Sequence, residues 1–236
     1  GILSKEEVLQ AQKDLPPKIF KELYEAEPSE DEAQLIFNES IIKLFSNTHI
    51  QGGIKYITAD IARLGNDKTV IYVWDGFRVI EIVERNTTLV TESANIIKEL
   101  QSKYNVNSNN IICDEDGVGG GVVDILNCVG FVNNAKAKSI NGSIENFANL
   151  KTQCYYKLAE YINRNEIYVN CDSKIERYLI EELELVRLSK ELDISRISIL
   201  SKDEIKKKIG RSPDYSDALM MRMYFTINNR DKYHIW

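Results

Sequence analysis

The sequence predicts an α/β fold: one mixed sheet, three antiparallel strands and then parallel ones, with helices on both faces. Three observations predict it. Three consecutive segments rich in β-branched and aromatic residues begin near Ile54 and contain an Asp-Gly turn. A helix-spaced stretch then leads to a short apolar strand and a glycine-rich turn into a second helix, which is the grammar of a parallel crossover. Further strand and helix segments alternate to the end of the chain.

The elements justify this in order. Residues 1–50 read as a linker with short helices: Ser4-Lys5-Glu6-Glu7 resembles a capping box, Pro16-Pro17 ends the helix it opens, and EAEPSEDEAQ is acidic. A single domain is expected over 51–236. KYITADIA, KTVIYVWD and FRVIEIVE read as strands, with Asp75-Gly76 as a two-residue hairpin turn between the second and third. Thr91 is the expected N-cap of ESANIIKELQSKY, NIICD is a buried strand, and GVGGGVVDILN enters a helix. A helix over 146–163, a strand at EIYVN, a helix over 173–185 and a strand pair within 186–200 follow. The last helix is expected to open at Ser212-Pro213, serine as cap and proline at the first helical position.

Composition excludes several classes of function. With 43% hydrophobic and 28% charged residues, the chain is ordinary for a globular protein, and no apolar run approaches the ~20 residues of a membrane helix. The start, GILSKEEVLQ, lacks the apolar core of an export signal, so a cytoplasmic location is expected. Cys113, Cys128, Cys154 and Cys171 match no zinc-ligand or redox spacing. His49 and His234 are the only histidines and lie near the two ends, so a histidine triad or histidine-rich zinc site lacks material. Any metal must be held by oxygen. The net charge of −6 argues against strong non-specific DNA binding, although residues 202–211 carry Lys202, Lys206, Lys207, Lys208 and Arg211 against only Asp203 and Glu204.

Three places hold acids that need explaining. Asp60 sits within an apolar strand, on the face of Tyr56, Thr58 and Ala62, where a carboxylate needs a partner; alternatively it ends the strand and bonds the next turn. Asp114 ends NIICD at the carboxyl end of a parallel strand, where α/β sheets place their sites, with Glu115, Asp116 and four glycines beside it. GVGGG lacks the Lys-Ser/Thr of a phosphate loop, so its glycines are read as permitting close backbone approach. Asp214 and Asp217 in RSPDYSDALMM share one side of a helix. Asp217 lies on its apolar stripe with Met220, Met221 and Tyr224, while Asp214 suits the first turn through the helix dipole alone.

TADIARLGNDKTV, IICDEDGVGGGVVDIL, NLKTQCYYKLAEYI and SKDEIKKKIGRSPDYSDALMMR, in that order from about Ile54 to Met223, resemble the successive motifs of terminase large-subunit nuclease domains of tailed phages. The resemblance implies an RNase H-like fold and a two-metal endonuclease that cuts concatemeric viral DNA with little sequence preference. It puts Asp60, Asp114 and Asp217 in the places of the metal-binding acids, with Asp214 auxiliary, around two Mg²⁺ or Mn²⁺ ions. Lys202, Lys206, Arg211 and Arg63 become candidates for contacts to the DNA backbone, or else a solvated helix face and a loop arginine; Lys151 and Gln153 serve either packing or DNA contact. Double-stranded DNA is the implied substrate, and a packaging ATPase domain, a portal protein and a small terminase subunit are the implied partners, in the host cytoplasm. The motor's GxxxxGK[ST] motif does not occur in the chain, which therefore reads as a C-terminal domain. Two other enzyme readings are a Holliday-junction resolvase-type nuclease, which branched-DNA cleavage would favour, and an actin-like or sugar-kinase ATPase domain, which would need a second phosphate turn. A non-catalytic docking module is the third alternative.

Overall fold

The computed structural model describes residues 34–62, 67–86, 89–139, 146–189 and 196–228. The chain forms two compact units, Gly1–Gln34 and Leu35–Trp236, and the elements below belong to the second. The helix expected at Ser4 and its end at Pro16-Pro17 lie outside the described residues, as does Arg63.

After a short helix α1 (Asn38–Lys43), the chain lays down β1 (Lys55–Asp60), β2 (Thr69–Asp75) and β3 (Arg78–Arg85). Helix α2 (Val90–Tyr104) leads to β4 (Ile111–Asp114), α3 (Gly119–Leu126) and β5 (Val129–Phe131). Then come α4 (Leu150–Asn163), β6 (Tyr168–Val169) and α5 (Ser173–Leu183), followed by α6 (Lys202–Ile209), α7 (Asp214–Met220) and α8 (Met223–Ile227). The strand order is β5-β4-β1-β2-β3-β6. β1, β2 and β3 pair antiparallel, whereas β4 lies parallel to β1, β5 to β4 and β6 to β3. The mixed sheet is the one that the sequence predicts.

Period-two alternation decides what each face carries. Ile57, Ala59, Ile71, Val73, Ile111 and Cys113 point to the face covered by Ala94, Ile97 and Leu100 of α2 and Val122 and Leu126 of α3. Each fully buried aliphatic side chain there contributes about 1.5–3 kcal/mol. The alternate residues, among them Tyr56, Thr58 and Asp60, face α7 and its neighbours: the Tyr56 ring meets Phe225 of α8 at 4.7 Å, and α7 packs on β1 and β2. Trp74 on β2 satisfies its indole N–H on Thr58 Oγ1 at 3.1 Å. Helices thus cover both faces, and none of the described ones is long and apolar enough to cross a membrane. All four cysteines are free thiols.

Several boundaries differ from expectation for identifiable reasons. Asp75 remains in the ladder opposite Arg78, so the hairpin turn is Gly76-Phe77, with Gly76 supplying the positive φ of 67°. The Asp75 carboxylate instead accepts the Gly53 N–H at 2.8 Å. Thr91 lies inside the first turn of α2, whose N-cap position is Leu89. α4 starts at Leu150, capped by Asn149, whose side chain accepts from Thr152 N at 2.8 Å. In place of the strand pair expected within 186–200, the described residues there form isolated bridges, Leu188 with Ile199, and Ile197 with the distant Phe147. α7 begins one residue after Pro213, because the Ser212 hydroxyl is spent on Asp67 at 2.7 Å and caps nothing.

Candidate active site

Strand register builds the first half of the site. Thr58 is opposite Ile112 and Ala59 opposite Cys113 in the parallel β1–β4 pair, so Asp60 and Asp114 end neighbouring strands on the same face of the sheet. Only glycine fits at 119: a Cβ there would stand 1.6 Å from the Asp114 carbonyl oxygen, so α3 can start directly against the strand end. α7 supplies the second half by packing across β1 and β2, which carries Asp214 and Asp217 to the same face. Asp60, Asp214 and Asp217 are each only 4% exposed.

At the centre stands an ammonium group. Lys202, in the first turn of α6, reaches inward so that its Nζ lies 3.5 Å from Asp60 Oδ2, 3.3 Å from Asp214 Oδ1 and 3.5 Å from Asp217 Oδ2. A lysine opposes the helix dipole in a first turn, so the three facing acids must hold it there. α6 itself is anchored by a complete capping box between Ser201 and Glu204 and by Gly210, at φ 73°, as its C-cap.

The remaining carboxylate oxygens are held by fixed donors. Asp217 Oδ1 accepts from the Tyr155 hydroxyl at 2.6 Å and from Lys151 Nζ at 2.7 Å. Asp214 Oδ2 accepts the Lys68 backbone N–H at 2.8 Å. Asp114 Oδ1 accepts from Asn133 Nδ2 and from the Asp116 N–H, both at 3.1 Å. Three of the four acids therefore have one oxygen immobilised.

Electrostatics separate the four. Burial pushes Asp60 well above the usual carboxylate range; Lys202 pulls it back, and Asp217, Asp214 and Asp114 push it up again. Burial likewise raises Asp114 to about 6, against the Asp116 N–H, and raises Asp214 against Lys202 and the Lys68 N–H. For Asp217 burial is outweighed, because Lys151, Lys202 and the Tyr155 hydroxyl hold it below its ordinary value. Burial works against the charge of Lys202, yet Asp60, Asp217 and Asp214 raise it.

Three of the four predicted acids thus meet one ammonium directly, and its charge also weakly opposes the rise at the fourth, Asp114. Among the described residues, no three His, Cys, Asp or Glu side chains lie close enough together to hold a metal ion as they stand. The spacing follows from what occupies the centre: carboxylates sit 3.3–3.5 Å from this nitrogen, whereas Mg²⁺ draws oxygens to about 2.1 Å.

The basic candidates divide. Lys202 is inside the acid cluster, and Lys206 pairs with Asp67 at 2.9 Å while half-exposed. Arg211 turns inward, with its guanidinium on the Glu182 carboxylate, on Glu181 Oε2 at 2.9 Å and on the Tyr178 carbonyl at 3.2 Å. Glu182 is fully buried and also accepts the Ser216 N–H at 2.7 Å, so this hydrogen-bonded cluster pins the start of α7 to α5. Gln153 bonds the Lys138 backbone through both amide atoms, each at 2.8 Å. Tyr155, Asn133 and Lys68 were not singled out by sequence. For Tyr155 a signal existed: it lies four residues after Lys151, on the same helix face.

No family model matches the sequence, and neither does any curated protein. Solved structures match in fold. The nuclease domain of the large terminase subunit gp2 of bacterial virus Sf6 aligns at a TM-score of 0.69 and 20% identity, over 80% of this chain and 97% of that one. A lysine-to-alanine variant of the same domain, with manganese and β-thujaplicinol, gives 0.70 and 19% over the same shares. The large terminase nuclease from thermophilic phage G20c with bound magnesium gives 0.54 and 14%, over 84% of this chain and 98% of that one.

Proposed function

From the RNase H-like fold shared with terminase large-subunit nuclease domains, we propose that this chain is a metal-dependent DNA endonuclease domain that cuts concatemeric viral DNA during genome packaging. One observation carries the reading: acids from distant parts of the sequence gather around the Lys202 ammonium near the carboxyl ends of β1 and β4. Clustered carboxylates are costly without a cation, and Lys202 stands in for one. The donor set is all oxygen, which suits Mg²⁺ or Mn²⁺, and the neighbours in fold include one with manganese and one with bound magnesium.

On this reading Asp60, Asp114, Asp217 and Asp214 would hold the ions. Bound divalent cations supply an activated water and charge stabilisation at the phosphate. The protein contributes the rest. Fixed donors orient Asp114, Asp214 and Asp217, Lys202 balances the acids until a metal or phosphate group competes, and the burial of Asp60, Asp214 and Asp217 keeps bulk water from them. Lys206, Lys207 and Lys208 on α6 are the proposed contacts to the DNA backbone, with Arg63, three residues after Asp60 in the sequence; Arg211 acts through its hydrogen bonds to Glu182. Such contacts carry no base information, so cleavage has little sequence preference. Double-stranded DNA is the proposed substrate. A packaging ATPase domain, a portal protein and a small terminase subunit are the proposed partners, acting in the cytoplasm of an infected host.

Plasmid nicking tests the proposal. With Mn²⁺ or Mg²⁺ the wild type converts supercoiled plasmid to nicked and linear forms, and Asp60→Asn falls to background. Equal inertness of both proteins with both metals would sink it, and exclusive cleavage of four-way junctions would move it to a resolvase.

A further inference from the structure

Resting on the metal-dependent reading, we propose that Tyr155 is a positioning residue: its hydroxyl fixes Asp217 so that Oδ1 is turned into the protein and Oδ2 is presented to the cation. Tyr155 is 1% exposed, in a stripe of α4 that otherwise buries Leu158, Ala159 and Ile162, where phenylalanine would satisfy packing alone. A tyrosine hydroxyl buried there needs a partner. It has two: it donates to Asp217 Oδ1 at 2.6 Å and lies 3.0 Å from Ser216 Oγ.

The geometry distinguishes the two oxygens of Asp217. Oδ1 is occupied from the α4 side by Tyr155 and by Lys151, one turn earlier. Oδ2 meets Lys202 of α6 at 3.5 Å. Without the phenol, only the long side chains of Lys151 and Lys202 would orient the carboxylate, and rotation about its Cβ–Cγ bond would exchange the oxygens. Groups that orient a ligand are typically worth roughly 10–100-fold in metal affinity or activity.

The test is Tyr155→Phe, read first by calorimetric titration of the metal-free protein with Mn²⁺ and then by nicking kinetics. Mn²⁺ affinity falls roughly 10–100-fold, kcat falls at subsaturating metal and KM for plasmid is unchanged, because the phenol touches no DNA. In an Asp217→Asn background the same substitution has no further effect on Mn²⁺ affinity, since the group it orients is gone; a merely structural role would add its cost in both backgrounds. Should the phenylalanine variant fail to fold, replacing Tyr155 by para-aminophenylalanine restores a donor at the same ring position and para-methylphenylalanine does not. The amino form then keeps wild-type affinity and the methyl form loses it. If either pair binds Mn²⁺ within about twofold of each other, against the 10–100-fold expected, while the wild type binds and nicks, the positioning role is overturned and the nuclease reading stands. A wild type that neither binds Mn²⁺ nor nicks overturns both.

Discussion

Replacing Glu182 by glutamine tests how the acidic side of the fold is held together. Glu182 is fully buried between α5 and α7, where burial raises its carboxyl from the ordinary 4.5 to about 8, although Arg211 and the Ser216 N–H favour the ionised form. The folded state therefore holds a proton between about pH 4.5 and 8 that the unfolded chain releases. A raised folded value means that this group's contribution is complete below pH 4.5, is lost as pH rises through the window, and is constant above 8. Each pH unit is worth about 1.4 kcal/mol, so roughly 4 kcal/mol accumulates between about pH 5 and pH 8. The glutamine side chain cannot titrate, yet its amide oxygen can still accept from Ser216 N and Arg211. Urea unfolding of both proteins in EDTA, at several pH values, reads the effect as a difference in which the other titrating groups cancel. The glutamine variant gains about 4 kcal/mol on the wild type across that interval. A difference independent of pH, or one that moves the other way, would show that Arg211 keeps Glu182 ionised throughout and refute the reasoning.

Gly119→Ala sets a Cβ against the Asp114 carbonyl, a backbone atom that cannot swing aside; it costs about 3 kcal/mol or more, read by thermal unfolding, and weakens Mn²⁺ binding by displacing Asp114. Unchanged affinity would mean that the strand end tolerates the shift. Lys202→Met removes the ammonium that, on the proposed reading, a metal would have to displace. The metal-free variant unfolds at lower temperature, and Mn²⁺ binds on the order of tenfold more tightly by calorimetry, which corresponds to about 1.4 kcal/mol. Equal or weaker binding would show that Lys202 does not compete with the cation.

How much of this was legible beforehand depended on whether the signal was local. The alternation through β1, β2 and β3 marks Ile57 and Ala59 for one face and Asp60 for the other, and both assignments hold. The crossover before β4 predicts a parallel neighbour, and Asp114 ends that strand. What escaped depended on partners far away in sequence. Ser212 reads as a cap until Asp67 takes its hydroxyl, and Arg211 reads as a surface cation until Glu182 draws it in. Lys202 belongs to a basic run and looks solvated, yet the field of three aspartates reverses its direction. The spread of the carboxylates was also beyond reach, since sequence does not say that an ammonium stands between them.

Because Asp60 ends a hairpin strand, Asp114 ends a crossover strand and Asp217 arrives on one of the last helices, no fragment that stops short of α7 carries a complete set of acids. Such long-range pairings form late, after the loops that separate them have closed. On the proposed nuclease reading, a half-made chain emerging from the ribosome would therefore spare the genome around it, because such a blade is forged and sharpened in the same moment.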